Sequence, residues 1–182
     1  VGMRVFEVIK GRRSIRKFEN RSIEKKILQK LVEAGVWAPT GGNAQTWMFI
    51  IITDCNRIQK IKAVSPGILG IPGALIVVCQ DKELAYKKGG ELGRDTLSIM
   101  DVAMASQNIM LQAYDEKIGS CPVLSFHKKG VQILLSLPER IVPELVISLG
   151  YPAESPKPPK RKFEEVCFFE EYKKEYKIEN GR

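Results

Sequence analysis

The chain has 182 residues, of which 44% are hydrophobic, 27% charged and 8% aromatic, proportions that suit an ordinary globular domain. Its 29 Lys/Arg outnumber 21 Asp/Glu for a formal net charge of +8, and there is a single histidine. Apolar residues recur from end to end, which argues against disorder, while the length supports one sizeable core and leaves two domains cramped.

No segment reaches the ~18 consecutive apolar residues of a membrane span. Val1-Gly-Met-Arg-Val-Phe-Glu shows no basic stretch followed by an apolar one, so no secretory signal is expected. Cys55, Cys79, Cys121 and Cys167 form no CxxC pair, and His127 alone does not complete a zinc site with them. Free thiols in a reducing, cytoplasmic setting are the natural reading. Residues 1–30 hold ten Lys/Arg against Glu7, Glu19 and Glu24. Such a concentrated positive field points to an anionic ligand: a nucleotide phosphate, a nucleic acid or an acidic lipid surface. The plainer alternative is a solubilising charged face.

In chain order, Val5, Phe6, Val8 and Ile9 predict a short amphipathic helix ending at Gly11. A second helix is expected from an N-cap at Ser22 to about Val36, with Ile23, Ile27, Leu28, Leu31 and Val32 on one face. Trp47 to Thr53 reads as a buried strand, and Asp54 caps a helix through Ile58 and Ile61. Ser65 to Pro72 is a loop, and Ala74 to Cys79 a second buried strand. Glu91 to Lys117 is the longest helix candidate; its middle is apolar on nearly every face, so it is enclosed by protein or half of it meets a partner. A strand over Cys121–Phe126, a short helix over Gly130–Leu137 and a strand over Glu144–Gly150 follow. The Pro-rich stretch 151–160 is extended, Phe163 to Phe169 is a candidate fifth strand, and a polar helical tail runs on to about Glu179. This alternation of helix and strand points by pattern alone to an α/β doubly wound sheet.

Three segments are candidates for chemistry. Arg12-Arg-Ser-Ile-Arg16 places Arg12, Ser14 and Arg16 on one side of an extended segment, where guanidinium forks and a hydroxyl suit phosphate oxygens; a basic surface turn is the alternative. Ala38-Pro-Thr-Gly-Gly-Asn-Ala-Gln-Thr-Trp47 leaves a helix and enters a strand. Its glycines admit close backbone approach, and Asn43 and Gln45 present donors and acceptors to a planar heterocycle, or simply satisfy the turn. Ile118-Gly-Ser-Cys121 either caps a helix through Gly119 or aims a backbone N–H at a bound ring. Neither GxGxxG nor GxxxxGK[ST] occurs, and His127, followed by Lys128 and Lys129, is a poor base for a triad. Hard chemistry would therefore fall to a cofactor. Single-strand nucleic-acid binding would need interleaved aromatics, and the basic N-terminus offers only Phe6 and Phe18.

Taken together, these segments, with Leu149-Gly-Tyr-Pro152 and Arg161-Lys-Phe-Glu-Glu-Val166, resemble the FMN-dependent nitroreductase family, in that family's order over residues 3–168. Ala105-Ser-Gln-Asn-Ile-Met-Leu-Gln-Ala113 is similar to its central helix. The resemblance implies an α+β three-layer sandwich, with a mixed, largely antiparallel sheet flanked by helices and an intertwined homodimer holding FMN at two interfacial sites. Residues 1–168 would form the FMN-binding domain and 169–182 a charged helical tail. By the same resemblance, Arg12, Arg13, Ser14 and Arg16 hold the phosphate and ribityl end, joined by Arg161 and Lys160. Pro39, Thr40 and Gly41 come from the other subunit against the isoalloxazine, Asn43 serves its polar edge, and Gly119 and Ser120 place amides near N5 and O4. The implied reaction is ping-pong: NADH or NADPH gives hydride to flavin N5, and a small acceptor such as a nitroaromatic or quinone then takes the electrons. No side chain is assigned as catalytic. A non-catalytic flavin carrier or sensor is the alternative. The chain departs from the family pattern at Thr46, where Pro is frequent, and at Pro122, where Trp is frequent, and its short 65–74 segment leaves the acceptor pocket undefined.

Overall fold

A computed structural model describes residues 4–172. Helices α1 (Val5–Gly11) and α2 (Lys25–Val36) lead through a 3₁₀ turn at Gly41–Asn43 into strand β1 (Trp47–Ile52). Then come α3 (Cys55–Ala63), β2 (Ala74–Asp81), α4 (Lys82–Leu92), α5 (Ser98–Asp115), β3 (Gly119–Val123), α6 (Lys128–Leu134) and β4 (Ile141–Gly150). Among the described residues no helix is long and apolar enough to cross a membrane.

The four strands form one sheet in the order β1-β2-β4-β3, and every pair is antiparallel. This corrects the doubly wound parallel sheet suggested by the helix–strand alternation. The physical reason lies in the strands themselves. β2 is buried at Ala74 through Gln80, so it reads as an unbroken apolar run, which reports that both faces are covered and says nothing of direction. Ala74, Ile76 and Val78 face a core with Leu28, Leu31, Val102 and Ile109 of α2 and α5. Leu75, Val77 and Cys79 face a second core with Ile58, Ile61 and Val131 of α3 and α6. Helices, sheet and helices are thus three layers, and the chain is α+β.

Pro143 lies within β4, an inner strand, although it has no N–H to give a ladder. It is accommodated by an irregularity opposite Val78/Cys79, where the register skips Glu144. The Glu144 carboxylate turns inward and is satisfied by Gln80 Nε2 (2.6 Å) and by an ion pair with Lys128.

Helix boundaries follow local chemistry. Asp54 and Asp81 accept the amides of Arg57 (2.8 Å) and Leu84 (3.0 Å), capping α3 and α4. Because Asp81 caps, the helical stretch begins at Lys82 rather than at Glu91. It breaks at Gly89–Gly90, where Gly90 has φ +61°, and passes through a π-helical turn (Gly93–Leu97) into α5. The second helix starts at Lys25, with Glu24 rather than Ser22 at the N-cap and no side-chain cap bond. His127 caps α6, its Nδ1 accepting the Gly130 amide at 2.9 Å. The fifth strand expected over 163–169 is replaced by a 3₁₀ turn at Phe163–Glu165, and among the described residues no strand pairs with it. Most of the helical tail assigned to 169–182 lies outside the described residues.

Candidate functional site

The arginine segment is fastened to the start of β3. The Ile15 amide donates to Ser120 O (3.0 Å), and Ser14 and Ser120 form an isolated parallel bridge. Gly119 makes this possible, since a Cβ there would sit 2.9 Å from Ile15 Cβ. On the other side, the chain leaving β4 zips onto the same segment: Glu19 N–H donates to Tyr151 O and Ala153 N–H to Lys17 O, both at 2.9 Å. The Glu154 carboxylate accepts the Arg16 amide (2.5 Å) and the Lys17 amide (3.1 Å). Those amides, the Arg16 one foremost, hold the Glu154 carboxyl below the usual carboxylate range.

These pairings enclose a cavity of about 410 Å³ lined by Arg12, Arg13, Tyr114, Gly119, Ser120 and Glu154, among others. Arg13 Nη1 donates to the carbonyls of Lys10 (2.6 Å) and Arg12 (2.8 Å), which fixes its side chain. Arg12 Nη1 and Arg13 Nε are buried and have no partner. Buried guanidinium nitrogens are costly to leave unpaired, and an anion in the cavity would satisfy them. In β3, burial pushes the Cys121 thiol up, opposed by Arg16, by the Ser14 hydroxyl and by Arg12. Ser14 and Arg16, expected beside Arg12 on one side of the segment, do not line this cavity, which takes the neighbouring Arg12 and Arg13 instead.

The second segment folds elsewhere in the chain. Gly42, Asn43 and Gln45 all take left-handed backbone conformations (φ +57°, +54° and +51°). The turn is closed by the Asn43 amide on Thr40 O (3.0 Å), the Ala44 amide on Gly41 O (3.1 Å) and the Gln45 amide on Thr40 Oγ1 (3.2 Å). Gln45 Nε2 donates to Asn43 Oδ1 at 2.8 Å, and the Gly41 amide donates to the carboxylate of Asp101 on α5 at 3.0 Å. Pro39 and Asn43 line an open pocket of about 400 Å³ with Trp37, while Gly41 and Gly42 line a small cavity of about 120 Å³ with Thr46 and Asp101.

Within one chain, then, Arg12, Arg13, Gly119 and Ser120 share a cavity, whereas Pro39, Gly41 and Asn43 line two others. Lys160 and Arg161 reach none of these; Arg161 lies on an exposed stretch and pairs with its own neighbour Glu165 (3.6 Å). Sequence reasoning missed Tyr114, Glu154 and Asp101. The first two flank motifs that were singled out, one closing the helix before Gly119 and the other following Gly150-Tyr-Pro, and adjacency was the available signal. Asp101, embedded in an apolar helix, carried a signal in its charge alone.

A large apolar surface remains in water. Trp37 is 81% and Met100 56% exposed, with Val5, Phe6, Ile99 and Met104 also exposed. The long helix is thus enclosed on one face only, through Val102, Ala105, Ile109 and Ala113.

A model of the nitroreductase family matches residues 9–69 and 65–151. A Methanothermobacter thermautotrophicus protein that carries the name NADH dehydrogenase/NAD(P)H nitroreductase is 34% identical over 160 residues, covering 85% of this chain and 80% of its own length. Among solved structures, a nitroreductase family protein of Clostridium difficile 630 aligns with TM-score 0.82 at 26% identity, over 93% of this chain and 100% of its own. An FMN-dependent nitroreductase of Clostridium difficile R20291 aligns with TM-score 0.79 at 26% identity, over 92% and 99%. The family match spans the arginine segment, the glycine-rich turn and the β3 start described above, and the chain belongs to the nitroreductase family.

Proposed function

We propose that this chain, an oxidoreductase by family, binds FMN in the Arg12–Arg13 cavity and works as a homodimer with NADH or NADPH as electron donor. The observation that carries the reading is the pair of buried, unpartnered guanidinium nitrogens beside the cavity. A phosphate is doubly suited to them: its oxygens satisfy the orphaned donors, and its charge is neutralised by Arg12, Arg13 and Arg16. Ser14 adds a hydroxyl donor. Gly119 and Ser120 line the same cavity and would present backbone to the ring.

When bound, the group supplies two-electron transfer from NAD(P)H to a small acceptor such as a nitroaromatic or a quinone, in two successive half-reactions. The chain's own work is positioning and charge. The arginines anchor the anionic end and raise the local positive potential. Asn43, whose amide is oriented by Gln45, offers a polar edge on a pre-shaped turn.

The separation of the two residue sets supports the dimer. Pro39, Thr40, Gly41 and Asn43 do not meet the arginine cavity of their own chain, and a second copy would bring its turn there. The exposed Trp37, Ile99, Met100 and Met104 are the apolar surface such a contact would cover. Lys160 and Arg161 lie on an exposed stretch, and Arg161 would have to leave Glu165 to add charge at the phosphate end.

The test is direct. Purified protein is freed of any chromophore and titrated with FMN, and the loaded protein is mixed anaerobically with NADH and with NADPH. Saturable binding followed by bleaching supports the reading. Failure to bind refutes the cofactor, and a flavin that stays yellow with both donors refutes the enzyme in favour of a flavin carrier or sensor.

A further inference from the structure

The turn that follows α2 is conformationally expensive. Two non-glycine residues, Asn43 and Gln45, sit in the left-handed region beside Gly42, an arrangement that persists only where the surroundings over-determine it. Its rear is pinned to the sheet, where the Asp81 amide donates to Thr46 O at 2.8 Å. Its front has one polar attachment to the helical layer: the Gly41 amide on Asp101 Oδ1, at 3.0 Å. Asp101 is 2% exposed and lies on α5. Gly41 itself packs so closely on the turn before α5 that a Cβ would lie 3.2 Å from Leu97 Cδ1. Beside this contact is the cavity of about 120 Å³, into which the buried Thr46 contributes a hydroxyl with no partner.

An ion at this place needs a reason, because burial works against a carboxylate that an apolar residue could replace. We infer that Asp101 is a positioning residue: its carboxylate tethers Gly41 to α5 and thereby holds the Thr40–Gln45 turn in the strained shape that meets FMN. The inference rests on the FMN reading above. The tether works through backbone, so it is blind to the side chains that the turn presents. A single acceptor oxygen fixes the Thr40–Gly41 peptide, whose carbonyl in turn accepts the Asn43 amide, and the strained residues follow from there. Asp101 itself touches no reacting atom in this scheme.

Three variants separate the roles. Asp101→Ala removes the acceptor; Asp101→Asn keeps an acceptor oxygen of the same shape; Asp101→Ser, one bond shorter, serves if the alanine variant does not fold. Hydrogen exchange of the 41–45 amides is read in the cofactor-free protein, and FMN affinity is read by fluorescence titration. Faster exchange across 41–45 is expected for Asp101→Ala, with an FMN dissociation constant raised roughly tenfold or more, the scale of one hydrogen bond to a charged group. Asp101→Asn is expected to restore both. Wild-type exchange in Asp101→Ala overturns the tether, as does an asparagine variant that behaves like alanine. Faster exchange with unchanged FMN affinity overturns the link to the cofactor. If the wild-type protein binds no FMN, the reading above fails on its own, and the exchange arm still decides whether Asp101 holds the turn.

Discussion

Replacing Arg12 by alanine should move two quantities differently. In the cofactor-free protein, Arg12 Nη1 is buried without a partner, and an orphaned donor costs about 1–3 kcal/mol. Its removal relieves that cost while losing the packing of the side chain's stem, two effects of similar size. Cofactor-free stability should therefore change by no more than about 1 kcal/mol. FMN binding loses a charge-assisted hydrogen bond of about 1.5–3 kcal/mol. At about 1.4 kcal/mol per decade, this weakens FMN roughly 10- to 150-fold. Arg12→Lys keeps the charge but not the planar fork and should fall between. Urea unfolding of the cofactor-free protein and equilibrium dialysis with FMN supply the two numbers. Wild-type FMN affinity would refute the phosphate assignment. So would a stability loss beyond about 3 kcal/mol in the cofactor-free protein, which would make Arg12 a packing residue like those truncated in cores.

Further outcomes follow from other sites. Gly119→Ala drives a methyl to within 2.9 Å of Ile15 Cβ, an overpacking of about 1–3 kcal/mol, and should shift the urea midpoint down while weakening FMN retention; an unchanged midpoint would mean that the Ile15–Ser120 pairing is dispensable. Ile147→Ala, in the inner strand β4 and fully buried, should cost about 2–5 kcal/mol by chemical denaturation without a specific effect on the turn at 40–45. Burial raises the Asp101 carboxyl, so the folded state holds that proton more tightly than the unfolded one. The resulting stabilisation is complete below the ordinary Asp value of ~3.9 and is lost as pH rises through the raised one. Asp101→Asn should consequently gain on the wild type as pH rises above the ordinary Asp value, read from urea midpoints, and a gain that shrinks with pH would contradict the sign. Thiol titration of the native protein should label exposed Cys55 readily and spare Cys79 and Cys121 until unfolding, since burial pushes the Cys79 thiol up to about 12.

How much of this was legible in the sequence depends on the range of the interaction. Short-range chemistry was readable: the β2 run, the Asp54 cap and the loop at 65–72 appear where residue pattern and capping place them, while β1 lies where expected but, as an edge strand, leaves Met48 and Ile51 exposed instead of being buried. The arginine and Gly119–Ser120 segments were both singled out from residue type, guanidinium and hydroxyl for phosphate and glycine for close approach, although a surface turn and a helix cap explained each string equally well by itself. The family motifs, in order along the chain, carried the three-layer α+β fold where periodicity pointed to a doubly wound one. Strand direction lay beyond periodicity, since a strand covered on both faces looks alike whichever way its neighbours run.

Tertiary structure alone decided the rest. It showed that 12–16 pairs with 119–120 while 39–43 folds apart from both, a question of long-range pairing that no local window contains. It also turned Asp101, one charge in an apolar helix, into the acceptor for a backbone amide 60 residues away. Local composition determines which side chains are available to hold an anion or a ring; only the folded chain determines which donors are left buried without a partner, because that depends on every group packed around them.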